Sequence, residues 1–300
     1  MADTMIGGGS GGSMVIMLRV LGISGTTISA TCDSNTVSGT IGSTGYLYLK
    51  LKTLGVWKVT ASKSGYSFTQ DVKVFRYGIT ECWALAKKAF YDCTTAEIQA
   101  IAKSGMANQY WAIGDYHKIT MKDGEEIEVA IADFNHDVTP GGVTIPVTLL
   151  MKNCFKTVRQ INTNNINVGG WTNSNFRTST LPNILSNFPD EWQNIMTTAQ
   201  KKTAQGNVNG TIVTSDDKAW LLSIVELTGA SGSYAGEGIL YPIFTDNNSR
   251  IKRLNNAARA YWTRSPASNN QEFYLVRSDG STGTNVAASV EGISIGFCVG

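Results

Sequence analysis

Charge is scarce in this chain. Lys, Arg, Asp and Glu make up 16% of its 300 residues, 25 bases against 23 acids, and only two histidines, His117 and His136, join them. A balance of +2 excludes the basic footprint of a nucleic-acid binder. Cysteine has no pattern either: Cys32, Cys82, Cys93, Cys154 and Cys298 are odd in number and never form Cys-x-x-Cys. Neither a disulfide framework nor a zinc site is expected, and the thiols read as free and buried in a chain folded in a reducing cytoplasm. No run of about 18 apolar residues occurs, so no membrane insertion is expected. The first residues, Met1 to Met5, have no basic region and lead into Gly7 to Ser13 where a signal peptide would be apolar. Glycine, with 31 residues, is plentiful, and 42% hydrophobic content is enough for a core. A length of 300 predicts two folded units, since single domains run to about 100–200 residues.

Three segments follow from the patterning. Residues 1–13 read as a flexible Gly/Ser tether. From 14 to 80 the apolar residues alternate: Leu47, Leu49 and Leu51, then Trp57, Val59 and Ala61, then Val72 and Val74. Turn clusters at Asp33 to Asn35, Thr53 to Gly55 and Lys63 to Gly65 space these runs as in a small antiparallel sandwich, immunoglobulin-like or prealbumin-like. Without histidine or clustered carboxylates, it reads as a spacer or assembly module. Residues 81–300 are mixed. Thr94-Thr95-Ala96-Glu97 has capping-box spacing and predicts a helix that buries Ile98 and Ile101 and stops at Gly105. Strands are predicted at Trp111 to Met121, around Ile127 to Ile131, from Val143 to Met151, over Ala219 to Leu227 and at Ile293 to Val299, with the segment Phe273 to Val276 and a Ser278-Asp279-Gly280 turn before the last. Helices are predicted at Leu181 to Phe188 and Asp190 to Ala199, with Pro182 and Pro189 near their starts. After Gly229 comes a long Gly, Ser, Asn and Tyr stretch, irregular surface of the kind that binds.

Catalytic patterns fail on context. Gly292-Ile293-Ser294-Ile295-Gly296 has the spacing of a nucleophile elbow, yet no helix and no histidine follow it. Asp133-Phe134-Asn135-His136-Asp137 groups two carboxylates and an imidazole but reads better as a turn at a strand end. His117 reads as a framework residue, Lys201-Lys202 and Lys252-Arg253 as solvated surface, and Trp171 and Trp262 as buried anchors. No catalytic residue, no metal ligand and no cofactor is expected.

A set of ordered segments changes the reading. Tyr110-Trp111-Ala112-Ile113-Gly114-Asp115, Ile131 to Asp137, Met151-Lys152-Asn153-Cys154-Phe155, Asn167-Val168-Gly169-Gly170-Trp171, Trp220-Leu221-Leu222-Ser223, Tyr261-Trp262-Thr263-Arg264-Ser265 and Gly292 to Val299 resemble, in that order, the C-type-lectin-fold domains of phage and gut-bacterial proteins. The resemblance covers residues 81 to 300 and implies an α+β fold, a C-type-lectin-like domain preceded by a small all-β immunoglobulin-like sandwich. In many such proteins the last strands are the variable region of a diversity-generating retroelement, where Asn codons are scattered into other residue types. That region corresponds to about 262–299 here. Phe273, Val276, Asp279-Gly280, Ala287 and Gly292 then stand as frame, and Ser268, Asn269, Gln271, Glu272, Tyr274, Leu275, Arg277, Thr284, Asn285, Val286, Ser289 and Glu291 as the ligand-binding surface. Tyr274, Leu275 and Arg277 are expected to be exposed near one another, and the last strand to pair near the first.

The resemblance implies a non-enzymatic receptor-binding protein of a phage tail or tail fibre. Its head would meet a bacterial surface receptor, protein or glycan, while the N-terminal module joins other tail proteins; a homo-oligomer is compatible. It would be made in the host cytoplasm and reside in the virion. The calcium tripeptides of animal C-type lectins, Glu-Pro-Asn, Gln-Pro-Asp and Trp-Asn-Asp, are absent, so calcium-dependent sugar binding is not expected. The alternatives are an enzyme of the formylglycine-generating type, which would need a reactive thiol, and a bacterial surface adhesin of the same fold.

Overall fold

The computed structural model describes residues 15–63, 66–84, 88–103, 105–230 and 232–300, so the predicted tether lies outside the described residues. The chain divides into two compact units, Met1–Lys87 and Lys88–Gly300.

In the first unit the alternating runs form β1 (Ile16–Leu21), β2 (Thr27–Cys32), β3 (Asn35–Thr40), β4 (Tyr46–Leu51), β5 (Gly55–Lys63), β6 (Tyr66–Val74) and β7 (Gly78–Trp83). They make a sheet β4-β1-β7 and a sheet β3-β2-β5-β6. Every second residue faces inward, as a two-residue period requires. Leu18 and Val20 of β1 therefore share a core with Leu49 and Leu51, and with Trp57, Val59 and Val74 of the other sheet. The indole of Trp57 donates to the Thr53 carbonyl at 3.1 Å, which satisfies its one polar atom inside the core. The sandwich departs from the antiparallel expectation in one place: β1 and β7 run parallel.

The second unit opens with two short helices, α1 (Thr95–Lys103) and α2 (Ala107–Tyr110). The expected capping box at the start of α1 is present, with Thr94 N–H on Glu97 Oε2 at 2.8 Å and Glu97 N–H on Thr94 Oγ1 at 3.3 Å. Ile98 and Ile101 are buried, and Gly105 takes φ +73° just past the helix end. The strand predicted at Trp111 to Met121 is shorter, β8 (Tyr116–Thr120), because Asp115 turns the chain by accepting from Ala112 N–H at 2.9 Å. Next come β9 (Glu126–Phe134) and β10 (Val147–Met151), then α3 (Leu181–Ser186), preceded by a π-helical turn at Phe176–Thr180, and α4 (Asp190–Ile195). Further along lie β11 (Met196–Thr197), β12 (Ala199–Gly206), β13 (Asn209–Asp217), β14 (Ala219–Leu221), α5 (Ile224–Thr228), α6 (Asn247–Arg250), β15 (Lys252–Leu254) and β16 (Ala257–Arg259). The chain ends with β17 (Tyr261–Pro266), β18 (Glu272–Val276), β19 (Thr282–Val286) and β20 (Ile295–Val299).

One sheet organises this unit, in the order β11-β20-β10-β9-β8, with β14 also on β20. All five residues of β20 are buried, as befits a central strand. At Gly296 an added Cβ would lie 2.5 Å from Leu150 Cδ2, so the glycine leaves room for the Leu150 side chain across β20. The first and last strands share this sheet, but β9 and β10 stand between them. The apolar run Ala219 to Leu227 is not one strand. Ser223 and Glu226 form a capping box that starts α5 after β14 has ended. The result is a β-rich α+β architecture with a smaller sheet, β17-β18-β19, built on the main one.

Candidate functional site

Beneath the small sheet lies a buried chain of charges. The Arg264 guanidinium, on β17, grips the Glu226 carboxylate with both prongs, Nη1 to Oε2 at 2.5 Å and Nη2 to Oε1 at 2.9 Å. Its other N–H groups meet the carbonyls of Leu221, Lys202 and Glu237. The Lys201 ammonium lies 2.6 Å from both Glu226 Oε1 and Asp137 Oδ1 and 3.2 Å from the Tyr241 hydroxyl, with the Trp220 ring centroid 4.2 Å away. Asp137 also accepts from Thr148 at 2.6 Å and Tyr241 at 2.8 Å. Burial pushes its carboxyl up, but Lys201 and these donors outweigh that and bring it down to about 2. Glu226 is likewise penalised by burial and held below its ordinary value by Arg264 and Lys201. Glu237 goes the other way, raised by burial, while Ala204 N–H and the Ser265 hydroxyl donate to it. All three ammonium protons of Lys201 have partners, and both guanidinium prongs of Arg264 are engaged. That closed set leaves no donor free for a ligand, so it anchors β17 and the 229–245 segment.

These contacts correct the reading of Lys201 as solvated surface and of Asp137 as part of a simple turn: both are buried. The turn itself exists around Asp133, which accepts from Phe134 N–H and faces His136 Nδ1 at 2.7 Å, with Asn135 at φ +57°. Lys252 is also buried, donating to the Met151 carbonyl, while Arg253 remains exposed. Trp171 and Trp262 are fully buried anchors, their indoles on Asp217 Oδ2 at 2.9 Å and the Arg159 carbonyl at 3.0 Å. His117 faces the carbonyls of Lys118 and Cys93 at 2.6 and 2.8 Å, and Ser294 is buried with its hydroxyl on Met151.

On this base stands the β18–β19 hairpin. Its register pairs Glu272 with Val286, Tyr274 with Thr284 and Leu275 with Gly283. The period of two then assigns faces: Glu272, Tyr274, Thr284 and Val286 share one, and Phe273, Leu275, Gly283 and Asn285 the other. Leu275 is therefore not part of an exposed surface; it is buried beside Phe273 at 5% exposure. Arg277 falls on Leu275's face, where its guanidinium lies across Gly283 and donates to the Thr282 carbonyl. Tyr274, Leu275 and Arg277 are thus not brought together.

The remaining predicted residues fall into two groups. Ser268, Asn269 and Gln271 form the β17–β18 turn, in which Asn269 Oδ1 accepts from the N–H groups of Gln271 and Glu272, both at 2.8 Å. A fully buried amide outside the predicted set, Asn167, fastens that turn by donating to the carbonyls of Asn269 and Glu272 at 2.8 Å. Asn285 donates to Glu291 and accepts from the Ser289 hydroxyl, and Glu291 pairs with Arg259 at 3.2 Å.

The Tyr274 face borders a cleft of about 410 Å3. Tyr274 and Thr282 form one wall; Thr228, Gly232, Asn247 and Arg250 form the other. The Tyr274 hydroxyl is 3.0 Å from Ser233 Oγ, and a Cβ at Gly232 would sit 3.1 Å from the ring, so the loop and the aromatic close on each other. Six of the nine residues that line this cleft lie outside residues 262–299. Nothing in the local sequence marks Asn247 or Arg250; only the long irregular stretch after Gly229 signals binding.

Fold and site together define an α+β protein with a two-sheet N-terminal sandwich and a strand hairpin displayed over a closed ionic base. Residues 146–299, from just before β10 to the end of β20, match the family model of a domain of unknown function, DUF6273, and the chain belongs to that family. No curated protein and no solved structure matches it.

Proposed function

We propose that the chain is a non-enzymatic receptor-binding protein of a phage tail or tail fibre. Its second unit would be a C-type-lectin-like head and its variable region about 262–299. In this reading the head meets a bacterial surface receptor, and the N-terminal, immunoglobulin-like unit joins other tail proteins in the virion. The observation that carries the proposal is the division of the hairpin. Its backbone bonds and its inward frame, Phe273 and Leu275, are independent of the side chains at Glu272, Tyr274, Thr284 and Val286. A ladder built from main-chain bonds accepts substitution on its outward face, which is what a diversified surface needs. Tyr, Ser and Asn are also the adaptable contact residues of binding loops.

An enzyme with a reactive thiol draws no support. Cys298 is fully buried, and burial, reinforced by Asp137, pushes its thiol well above the ordinary value.

The test is attachment to bacteria together with the neighbouring DNA. Thr284→Arg, on the exposed outer face, should abolish attachment without changing the melting of the protein. A reverse-transcriptase gene and a near-repeat of the last coding stretch, differing only at adenines, should lie nearby. Attachment that survives this change and its Tyr274→Ala counterpart would sink the reading.

A further inference from the structure

The cleft beside Tyr274 is rich in donors and holds one unneutralised cation. Arg250 directs Nε to the Gly280 carbonyl at 3.1 Å, Nη1 to the Leu227 carbonyl at 3.4 Å and Nη2 to Asn247 Oδ1. These acceptors fix the guanidinium but carry no net charge, and no carboxylate stands within ion-pair distance of it among the described residues. The two acids on adjoining turns are engaged elsewhere. Asp246 accepts from Ser249 N–H at 2.8 Å, and Asp279 from Ser281 N–H at 2.9 Å and Ser281 Oγ at 2.6 Å. No acid lines the cleft itself. Asn247, which lines the cleft, is exposed with its Oδ1 taken by Arg250, and its Nδ2 carries two further donors.

A half-buried guanidinium held in place by carbonyls, with donors around it and no counter-charge, is complementary to an oxyanion. The aromatic ring of Tyr274 and the hydroxyl of Thr282 on the opposite wall suit the apolar and hydroxyl faces of a polyol. We propose that this cleft binds an anionic oxygen group, a carboxylate or a phosphate, carried on a hydroxyl-rich ligand, with Arg250 as its counter-charge. The proposal rests on the receptor-binding reading for its place in the protein's work and names the chemistry that the receptor presents. The anion sits on the side of the cleft outside residues 262–299, while Tyr274 on the other side would choose among its carriers.

The full chain is titrated with glycerol 1-phosphate, glucuronate and glucose, and binding is followed by calorimetry and ligand-observed NMR. Saturable binding of at least one anion and none of glucose is expected, and the anion that binds identifies its source as phosphate or acidic sugar. Asn247→Asp keeps the acceptor for Arg250 Nη2 and adds the missing carboxylate. It should weaken anion binding at least tenfold with unchanged melting, and Arg250→Gln should weaken it as well. Binding of neither anion, equal binding of glucose, or unchanged affinity in Asn247→Asp overturns the assignment. If Tyr274→Ala still abolishes attachment to bacteria while no anion binds, the receptor reading survives and the anion assignment falls. If the anions bind as expected and attachment is indifferent to Tyr274 and Thr284, the reverse holds.

Discussion

Arg264 and Glu226 form a two-pronged ion pair that is excluded from water on every side, at 0% and 1% side-chain exposure. Such a pair adds little over a well-packed apolar pair, but removing one partner strands the other, at a cost of about 3–5 kcal/mol. Glu226 also caps α5, receiving Ser223 N–H at 3.0 Å. Glu226→Gln is expected to lower the stability of the second unit by about 3–5 kcal/mol, and Ser223→Ala by about 1 kcal/mol, the scale of a lost cap. Denaturant melts followed by tryptophan fluorescence compare the two. Equal losses would mean that the cap, and not the ion pair, matters.

Asp137 ties acid stability to the same base. Its carboxyl is at about 2 in the folded chain against 3.8 as the reference, so the folded state holds fewer protons between these values. Stability from this group is complete above about pH 4 and is lost as pH falls from about 4 to 2, a difference of about 2 kcal/mol. Asp137→Asn should be destabilised at pH 7 and differ less from the parent at pH 2.5. Parallel losses at both pH values would exclude Asp137 as the source.

Local signals in the sequence went a long way where a short-range rule decides the outcome. The alternation of Trp57, Val59 and Ala61, the capping box at Thr94 and Glu97, and the apolar last strand all lead to the elements seen. They went wrong where distant residues decide. Lys201 looks like surface because its two carboxylates, Asp137 and Glu226, are 64 and 25 positions away in sequence. A lone charge within an apolar run, as at Glu226, is the available hint. Leu275 departs from the expectation for a simpler reason: the period of two within a strand sets Tyr274 on the face opposite Leu275 and Arg277. Arg250 and Asn247 reach the cleft through tertiary folding alone.

Lys252 should be a burden at neutral pH. Burial brings its ammonium down from 10.5 to about 8, so between these values the unfolded chain binds more protons and stability rises with pH. At pH 7 the cost is about 3 kcal/mol. The Met151 carbonyl that Lys252 contacts also receives the Ser294 hydroxyl, so it keeps a donor if the ammonium is removed. Lys252→Met is expected to be more stable than the parent at pH 7 by about 1–3 kcal/mol, with the gap closing towards pH 10. Denaturant melts at pH 7, 8.5 and 10 measure this. A destabilised variant at pH 7 would show that the ammonium contributes more by bonding than it loses by desolvation.

The hairpin register separates binding from stability residue by residue. Tyr274 is half-buried on the cleft face, Leu275 is buried on the opposite face, and Arg277 is exposed on Leu275's side. Tyr274→Ala should abolish attachment at a modest cost in stability, because an aromatic at the centre of an interface is the usual hot spot. Leu275→Ala and Phe273→Ala should lose about 2–5 kcal/mol, the range for truncating a buried side chain, and lose attachment only through unfolding. Arg277→Ala should do neither, staying within about 0.5 kcal/mol of the parent, as exposed substitutions do. Attachment and thermal melting measured on all four variants give the answer. Should Arg277→Ala abolish attachment and Tyr274→Ala leave it intact, the ligand would lie on the Leu275 side of the hairpin, and the cleft beside Tyr274 would not be the receptor site.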